Sequence, residues 1–258
     1  MRQIMLDKQF GEAGDEVLIE ERLSGPEVSV FAFCDGQTAT LMPTAQDHKR
    51  AYNNDEGPNT GGMGAYSPAP ICPPDLLAEI NETVILPTLA GLSTEGSPYV
   101  GVLYAGMMLT ENGPQVLEFN CRFGDPETQV VLPLLKSDLL EIVEHSVNGT
   151  LANVAVEWDS SSAATVVLAS GGYPGNYEKG KAISGLDEAA AEEGVTVFHA
   201  GTTLTDAGQI ITSGGRVLNI TGVGDDLQQA LGRAYKAIKH IHFDEMQYRT
   251  DIGWRAFL

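Results

Sequence analysis

The stretch Val116-Leu117-Glu118-Phe119-Asn120-Cys121-Arg122-Phe123-Gly124-Asp125-Pro126-Glu127 runs from an apolar, strand-like segment into a charged turn. On a strand, Glu118 and Asn120 lie two residues apart and therefore project to the same face. A carboxylate and an amide oxygen on one face suit Mg²⁺, which completes its shell with water and substrate phosphates. Taken alone, the pattern also fits an edge strand with solvent-facing polar residues. Arg122 and Asp125 crowd the turn that follows, and charged turns at strand ends are typical of functional sites.

The segments around this stretch predict an α+β fold. Residues 100–109 and 115–120 are predicted to be antiparallel strands, because Thr110-Glu111-Asn112-Gly113 between them is a turn signature. A helix is predicted over residues 137–147. The upstream elements expected are a short helix over residues 2–10, strands at 17–21 and 28–34, and a helix over 75–92 that Pro87 must bend.

A change in composition divides the chain. The small, polar run Trp158-Asp159-Ser160-Ser161-Ser162 predicts a boundary between a domain over residues 1–157 and a smaller, mostly β domain over residues 158–258. In the second domain, the expected elements are strands at 164–169, 195–199, 209–211 and 216–223, and helices near 187–193 and 225–240.

Residues 43–74 show little periodicity and predict a long functional loop. Gln46-Asp47-His48-Lys49-Arg50 places three potential cations together in a chain with only 15 Lys and Arg. The glycines of Gly57-Pro58-Asn59-Thr60-Gly61-Gly62-Met63-Gly64 let a backbone approach a ligand and expose N–H groups to an anion. The combination favours an anion site, although most glycine-rich loops are turns and His48 also fits a structural histidine.

Two weaker patterns carry polar groups. The apolar strand end before Glu20-Glu21-Arg22-Leu23 can accept an adenine, and a nearby carboxylate can bind ribose hydroxyls. Taken alone, the pattern is more typical of an exposed hairpin. Arg216 follows Gly214-Gly215, a tight-turn signature, and can reach a phosphate or carboxylate across a domain interface.

Composition excludes several classes of partner. The chain has 258 residues and a formal net charge of −20, so nucleic acid and anionic membranes are not expected partners. No apolar stretch approaches the roughly 20 residues that span a bilayer. Three cysteines without CxxC spacing argue against a disulfide framework or a zinc site, and favour a reducing compartment such as the cytosol.

The motifs, in their order, closely resemble the glycinamide ribonucleotide synthetase (phosphoribosylamine–glycine ligase) family of ATP-grasp enzymes. The resemblance runs from residue 10 to the end of the chain, and GPNTGGMGAYSPAP and LEFNCRFGDPE are its most specific parts. A different ATP-grasp ligase, such as a carboxylase subunit, would lack this pair. The matching stretches are IEERLSGPE, QDHKR, GPNTGGMGAYSPAP, YAGMML, LEFNCRFGDPETQ, GGYPG, FHAGT, GGRVL and DIGWRA.

The resemblance implies ATP as nucleotide and Mg²⁺, or Mn²⁺ in its place, as metal. It implies glycine and 5-phosphoribosylamine as substrates, joined through a glycyl phosphate, and the C-terminal lobe of an ATP-grasp fold followed by a small domain. The implied roles are metal binding for Glu118 and Asn120; catalysis for Arg122 and Asp125; nucleotide binding for Glu20, Glu21, Arg22, Leu23 and Glu27; and substrate binding for His48, Lys49, Arg50, Asn59, Gly61, Gly62, Gly64 and Arg216.

The chain departs from the family pattern at its N-terminus. Members of the family begin with a further domain and a small ATP-grasp lobe, and Ile4 to Phe10 resembles the last helix of that lobe. Some members also carry fused purine-pathway enzymes. A catalytically incomplete fragment, an incomplete gene and a split subunit that needs an N-terminal partner all fit the sequence.

Overall fold

The computed structural model describes residues 2–9 and 11–258, apart from the side chain of Gln3. Helices and strands are mixed along the chain, which confirms the predicted α+β class. The predicted helix over residues 2–10 is a π-helical turn at Arg2–Leu6, and its last residue lies outside the described residues. Within the described ranges, no helix is long and apolar enough to cross a membrane.

The strands are, in chain order, β1 (Glu27–Asp35), β2 (Ala39–Leu41), β3 (Gln46–Asp47), β4 (Arg50–Tyr52), β5 (Glu56–Asn59), β6 (Gly64–Ser67), β7 (Val100–Thr110), β8 (Gly113–Asn120), β9 (Ser162–Ala169), β10 (Val195–His199), β11 (Thr202–Leu204), β12 (Ile210–Thr212) and β13 (Arg216–Gly224).

The α-helices are α1 (Pro74–Ile80), α2 (Leu86–Thr94), α3 (Thr128–Val131), α4 (Leu139–Val147), α5 (Leu186–Ala190) and α6 (Leu227–Ile238). A π-helical turn at Asn81–Ile85 joins α1 to α2, and Pro87 lies in the first turn of α2. Short 3-10 helices occupy Gly11–Gly14, Asn53–Asp55, Leu132–Leu134, Leu151–Asn153 and Trp254–Phe257.

Four strands form an antiparallel sheet in the order β2-β1-β7-β8. Its edge strand β8 contains Glu118 and Asn120, and the charged turn follows directly after it. Strand β1 is almost entirely buried because both of its faces are covered. Val28, Val30 and Ala32 pack in one core with α1 and α2, whereas Phe31 and Phe33 pack in a second core with α3 and α4. A continuous apolar run is the expected sequence pattern for a strand covered on both faces.

A second antiparallel sheet has the order β10-β13-β9-β6-β3, and α6 packs on its central strands β9 and β13. Strands β3 and β6 come from the region predicted to be a long loop, whereas the other three lie beyond residue 160. The predicted domain boundary at residues 157/158 stays a prediction, and hydrogen-bonded strands from both sides of it share this sheet.

Two sequence expectations are wrong. Residues 17–21 form no strand, and Leu18 and Ile19 are 82% and 75% exposed. A strand needs a hydrogen-bonded neighbour, and none of the described residues pairs with this segment.

Residues 43–74 are not an irregular loop, because they contain β3, β4, β5 and β6 before α1 begins. Each of these strands has four residues or fewer, too short for periodicity to reveal.

A buried arginine fastens the C-terminal segment to the rest of the fold. Arg249 is fully buried, and its Nε and Nη2 each donate to one oxygen of Asp251 at 2.8 Å. Its Nη1 donates to Asp55 Oδ1 at 3.0 Å and to the carbonyl oxygen of Arg50 at 3.2 Å. Arg255 binds the other oxygen of Asp55 at 2.6 Å. The C-terminal segment therefore holds the β4–β5 region in place.

We expect Arg249→Met to lower the free energy of unfolding by about 3–5 kcal/mol, because two carboxylates then lose their buried cation. Urea unfolding at pH 7.5 measures the change. The control is Lys239→Met at an exposed position just beyond α6, with an expected change within about 0.5 kcal/mol. Equal losses in the two variants would contradict the role of Arg249.

Candidate functional site

Glu118 and Asn120 lie side by side near the end of β8. Asn120 pairs with Tyr104 and Glu118 with Gly106 on β7, so both side chains leave the sheet on one face. The Asn120 amide nitrogen donates to Glu118 Oε1 at 3.1 Å. A Cβ on Gly106 would sit 3.4 Å from Glu118 Cγ, so the glycine leaves space beside this carboxylate.

The donor set at this pair fits a divalent cation that relies on other ligands for most of its shell. Glu118 offers a carboxylate and Asn120 an amide oxygen. Across residues 2–9 and 11–258 there is no cluster of three or more His, Cys, Asp or Glu side chains that could hold a metal by itself. Mg²⁺ leans on one or two protein oxygens, phosphates and water. The metal role of the pair stays a prediction.

Arg122 extends the pair into the turn. Its Nη2 lies 3.4 Å from Asn120 Oδ1, and its Nη1 donates to the carbonyl oxygen of Phe123 at 2.9 Å. The exposed guanidinium therefore lies beside the candidate metal position, where it can neutralise an anion bound there.

Arg216 binds protein groups in two of the predicted site segments. Its Nη1 donates to the carbonyl oxygens of Gly61 at 2.8 Å and Asp125 at 2.9 Å, and forms an ion pair with Asp125 Oδ1 at 3.1 Å. Asp125 also accepts from Gln129 Nε2 at 3.1 Å. Arg216 thus joins the turn after β8 to the glycine-rich segment, and its substrate role stays a prediction.

The structure gives a packing reason for two of the predicted glycines. A Cβ on Gly62 would lie 2.5 Å from Pro126 Cδ, and one on Gly64 would lie 2.6 Å from the Thr165 carbonyl oxygen. The N–H of Gly61 donates to the Tyr173 hydroxyl at 3.1 Å, and that of Gly62 donates to Thr60 Oγ1 at 2.9 Å. Both N–H groups donate to hydroxyl groups of the protein, which weakens the sequence argument that they are available to bind an anion.

A cleft of about 310 Å³ opens between the start of β1 and the β3–β5 region. It contains four of the predicted site residues and three charged residues that the sequence reasoning did not select. Arg255 lies within the DIGWRA stretch, but Asp55 has no distinctive sequence signal. The seven are Glu27, Lys49, Arg50 and Asn59 of the predicted set, and Asp47, Asp55 and Arg255.

Three carboxyl groups approach one lysine at the cleft. Lys49 forms an ion pair with Glu27. Burial raises the pKa of Asp47 to about 7; Lys49 lowers it, and Glu127 and Glu27 add to the rise. Glu127 is buried, and its Oε1 accepts from the Tyr104 hydroxyl at 2.8 Å and from Ser29 Oγ at 3.2 Å. Sequence reasoning missed Asp47 because it interpreted QDHKR through its three potential cations, as an anion site, and did not consider the acidic residue.

His48 lies in the interior. Its ring is fully buried, and its Nε2 accepts from the N–H of Gly253 at 3.2 Å. Burial, reinforced by Arg249 and Arg255, lowers the pKa of His48 to about 3. Nδ1 has no hydrogen-bond partner among the described residues. The neutral, buried ring supports the structural alternative for this histidine over a substrate contact.

The predicted nucleotide residues separate into two places. Glu21, Arg22 and Leu23 line a cleft of about 510 Å³ against the β7–β8 turn, where Glu111 and Gln115 form part of the opposite wall. Glu20 is not among the lining residues, and Glu27 lies in the smaller cleft with Lys49. The larger cleft is a candidate adenine position for residues 21–23, whereas Glu27 is grouped with the substrate residues.

Comparison with known families matches both parts of the chain. Residues 1–128 match the domain described as "Phosphoribosylglycinamide synthetase, ATP-grasp (A) domain", and residues 163–255 match "Phosphoribosylglycinamide synthetase, C domain". The fold thus has the features of an ATP-grasp protein. The chain belongs to the phosphoribosylglycinamide synthetase family.

Individual relatives agree with this assignment. The chain is 55% identical to a phosphoribosylamine–glycine ligase of Nostoc over 96% of its length, and 57% identical to the trifunctional purine biosynthetic protein adenosine-3 of Gallus gallus over 99%. The crystal structure of the phosphoribosylamine–glycine ligase of Thermotoga maritima superposes with a TM-score of 0.81 at 38% identity, over 90% of this chain and 56% of that one. This chain spans 59% of the Nostoc protein and 25% of the Gallus protein.

Asp47 and His48 affect the pH dependence of stability in opposite directions. The pKa of Asp47 rises from 3.8 to about 7 on folding, so the folded state holds a proton that the unfolded state has lost, and stability rises as pH falls through 7. The pKa of His48 falls from 6.5 to about 3, so the unfolded state alone gains a proton below pH 6.5 and stability falls. Over pH 5 to 6.5 the two slopes oppose each other.

We expect Asp47→Asn to leave the His48 slope uncompensated, so that its unfolding free energy drops by up to about 2 kcal/mol between pH 6.5 and pH 5. His48→Gln should show a rise of similar size over the same interval. Urea unfolding at several pH values measures both, with the exposed Glu56→Gln as the carboxylate-to-amide control that follows the unsubstituted chain. One common slope for all four proteins would contradict the two assignments.

Proposed function

We propose that this chain carries the metal-binding and substrate-binding part of a ligase that joins glycine to 5-phosphoribosylamine with ATP and Mg²⁺. The observation that carries the proposal is the Glu118–Asn120 pair with Arg122 beside it, in a chain of the phosphoribosylglycinamide synthetase family. These three side chains combine cation ligands with a positive group at one strand end, as phosphoryl transfer requires.

The proposed reaction has two steps. A glycine carboxylate oxygen attacks the γ-phosphorus of ATP, and the bond to the bridging oxygen breaks to give ADP and glycyl phosphate. The amine of 5-phosphoribosylamine then attacks the glycyl carbonyl carbon, phosphate leaves with the bonding electrons, and one amine proton is released. The chemistry needs positioning and charge neutralisation rather than a covalent protein nucleophile.

The chain's own residues divide this work. Glu118 and Asn120 would hold Mg²⁺, which would neutralise charge on the ATP phosphates, and Arg122 neutralises the transferred phosphoryl group. Residues 21–23 line the adenine position, Lys49, Arg50 and Asn59 form the substrate wall of the smaller cleft, and Arg216 positions the turn that carries Asp125.

A second candidate is a catalytically incomplete subunit that requires an N-terminal partner. The exposure of Leu18 and Ile19 before the larger cleft favours it, because a partner lobe would cover these apolar side chains. Fused purine-pathway enzymes are further possible partners, since the Gallus relative is named trifunctional. The cysteine pattern supports a cytosolic setting for either candidate.

Glu118→Gln tests the metal site directly. We expect the variant to lose at least tenfold in affinity for ATP in the presence of Mg²⁺, because a neutral amide replaces the one carboxylate of the pair. Calorimetric titration of ATP with and without Mg²⁺ measures the change, and Glu141→Gln on the exposed face of α4 is the control. Full retention of Mg²⁺-dependent ATP binding in Glu118→Gln would contradict the assignment of Glu118 as a metal ligand.

Release of ADP from ATP and Mg²⁺ tests the activity. We expect release that needs both glycine and freshly generated 5-phosphoribosylamine, either from this chain alone or after addition of the N-terminal part of the Nostoc ligase. Release by the chain alone supports the first candidate, and release that needs the added part supports the second. Absence of substrate-dependent release in both arrangements would overturn the proposed reaction.

A further inference from the structure

The carboxylate side of the smaller cleft has more acceptors than the protein's own donors satisfy. Glu27 is paired with Lys49, and Glu127 Oε1 receives the Tyr104 and Ser29 hydroxyls. Asp47 is different, because among the described residues no side chain donates a hydrogen bond to its carboxyl group. It lines the cleft and is available to a ligand.

The charges around Asp47 select the kind of ligand. Lys49 supplies one positive charge, while Glu27, Glu127 and Asp47 supply three potential negative charges. An anion placed here would meet repulsion, whereas a primary ammonium group brings a positive charge and three N–H donors. Burial strengthens this preference, because a partly desolvated carboxylate gains more from a cation than an exposed one does.

Other cations lie elsewhere in the same cleft. Arg50 donates through Nη1 to the carbonyl oxygen of Gly57 at 2.7 Å, and Arg255 is bound to Asp55. Both line the cleft with Asn59. A ligand with an amine at one end and an acidic group at the other therefore matches the distribution of charge.

We propose that the Asp47 carboxylate is the amine subsite of this cleft and binds the primary amine of a substrate. The inference rests on the proposed function for the identity of the amine, since glycine and 5-phosphoribosylamine share this chemistry. Asp47 is then a binding residue that orients the amine, and Lys49, Glu127 and Glu27 are its charged neighbours.

The titration of Asp47 supports a pH-dependent subsite. Its pKa of about 7 reflects burial together with Lys49, Glu127 and Glu27. Tyr104 also lies near these groups, and Arg50, Asp55 and Arg255 line the same cleft. Because the ionised carboxylate is the better partner for an ammonium group, affinity for the amine should rise at least fivefold between pH 6 and pH 8.

Matched ligand pairs test the subsite by calorimetric or NMR titration of the full chain at pH 8. Glycine is compared with glycolate, which has a hydroxyl in place of the ammonium group, and freshly generated 5-phosphoribosylamine is compared with ribose 5-phosphate. We expect the amine-bearing member of one pair to bind at least tenfold more tightly than its counterpart. The pair that shows this preference identifies which substrate supplies the amine.

Asp47→Asn should abolish the preference, and the exposed Glu56→Gln should retain it. A second measurement uses the unsubstituted chain: the ¹³C carboxyl resonance of Asp47, which is assigned by its loss in Asp47→Asn, should titrate near pH 7. With saturating amine, the midpoint of this titration should move at least one pH unit lower. An unchanged preference in Asp47→Asn, no preference in either pair, or an unmoved titration would overturn the proposal.

The outcome is separable from that of the proposed reaction. An Asp47-dependent amine preference without substrate-dependent ADP release would support the subsite and contradict the ligase activity. Substrate-dependent ADP release with an amine preference that survives in Asp47→Asn would support the activity and contradict the subsite.

Discussion

Two backbone hydrogen bonds between Ser29 and Ala45 join the two larger sheets of this protein. The Ser29 N–H donates to the Ala45 carbonyl oxygen at 2.8 Å, and the Ala45 N–H donates back at 3.0 Å. Because β3 begins at the next residue, this bridge fixes Asp47 and Lys49 beside β1. Ser29 also binds Glu127, which follows the charged turn after β8, so three separate parts of the chain meet here. The smaller cleft lies beside this junction, between the start of β1 and the β3–β5 region.

Charge in this protein is concentrated by pairing. The chain is strongly acidic, yet each cation at the cleft is bound to a carboxylate or carbonyl oxygen, as Lys49 is to Glu27 and Arg255 is to Asp55. Such pairs keep the arginine and lysine side chains oriented, and the lower local dielectric strengthens the attraction between the partners. Asp47 lacks such a partner. Its pKa is raised because the surrounding positive charge compensates only in part for the burial of its carboxyl group.

The glycine-rich segment shows how one pattern can have two physical causes. Gly62 and Gly64 are required where Pro126 and the Thr165 carbonyl oxygen come close to their backbones. The same close packing brings Gly61 to Arg216 and so to the turn that carries Asp125. The glycines thus hold the site segments together, and any contact with a substrate would be in addition to that role.

The sequence by itself determined the α+β class, the β7–β8 hairpin and the pairing of Glu118 with Asn120, because these depend on local alternation and on neighbours two residues apart. It also supplied the family through two long motifs. Tertiary structure decided that residues 17–21 are not a strand, that Glu27 lies with Lys49 rather than with residues 21–23, and that His48 is buried and neutral. Only the tertiary structure showed that Asp47 has a raised pKa in the smaller cleft and that the buried Arg249 pairs with two carboxylates. Burial and charge at these positions are set by residues up to 200 positions away, as Arg255 is from Asp55, and no local pattern records such contacts.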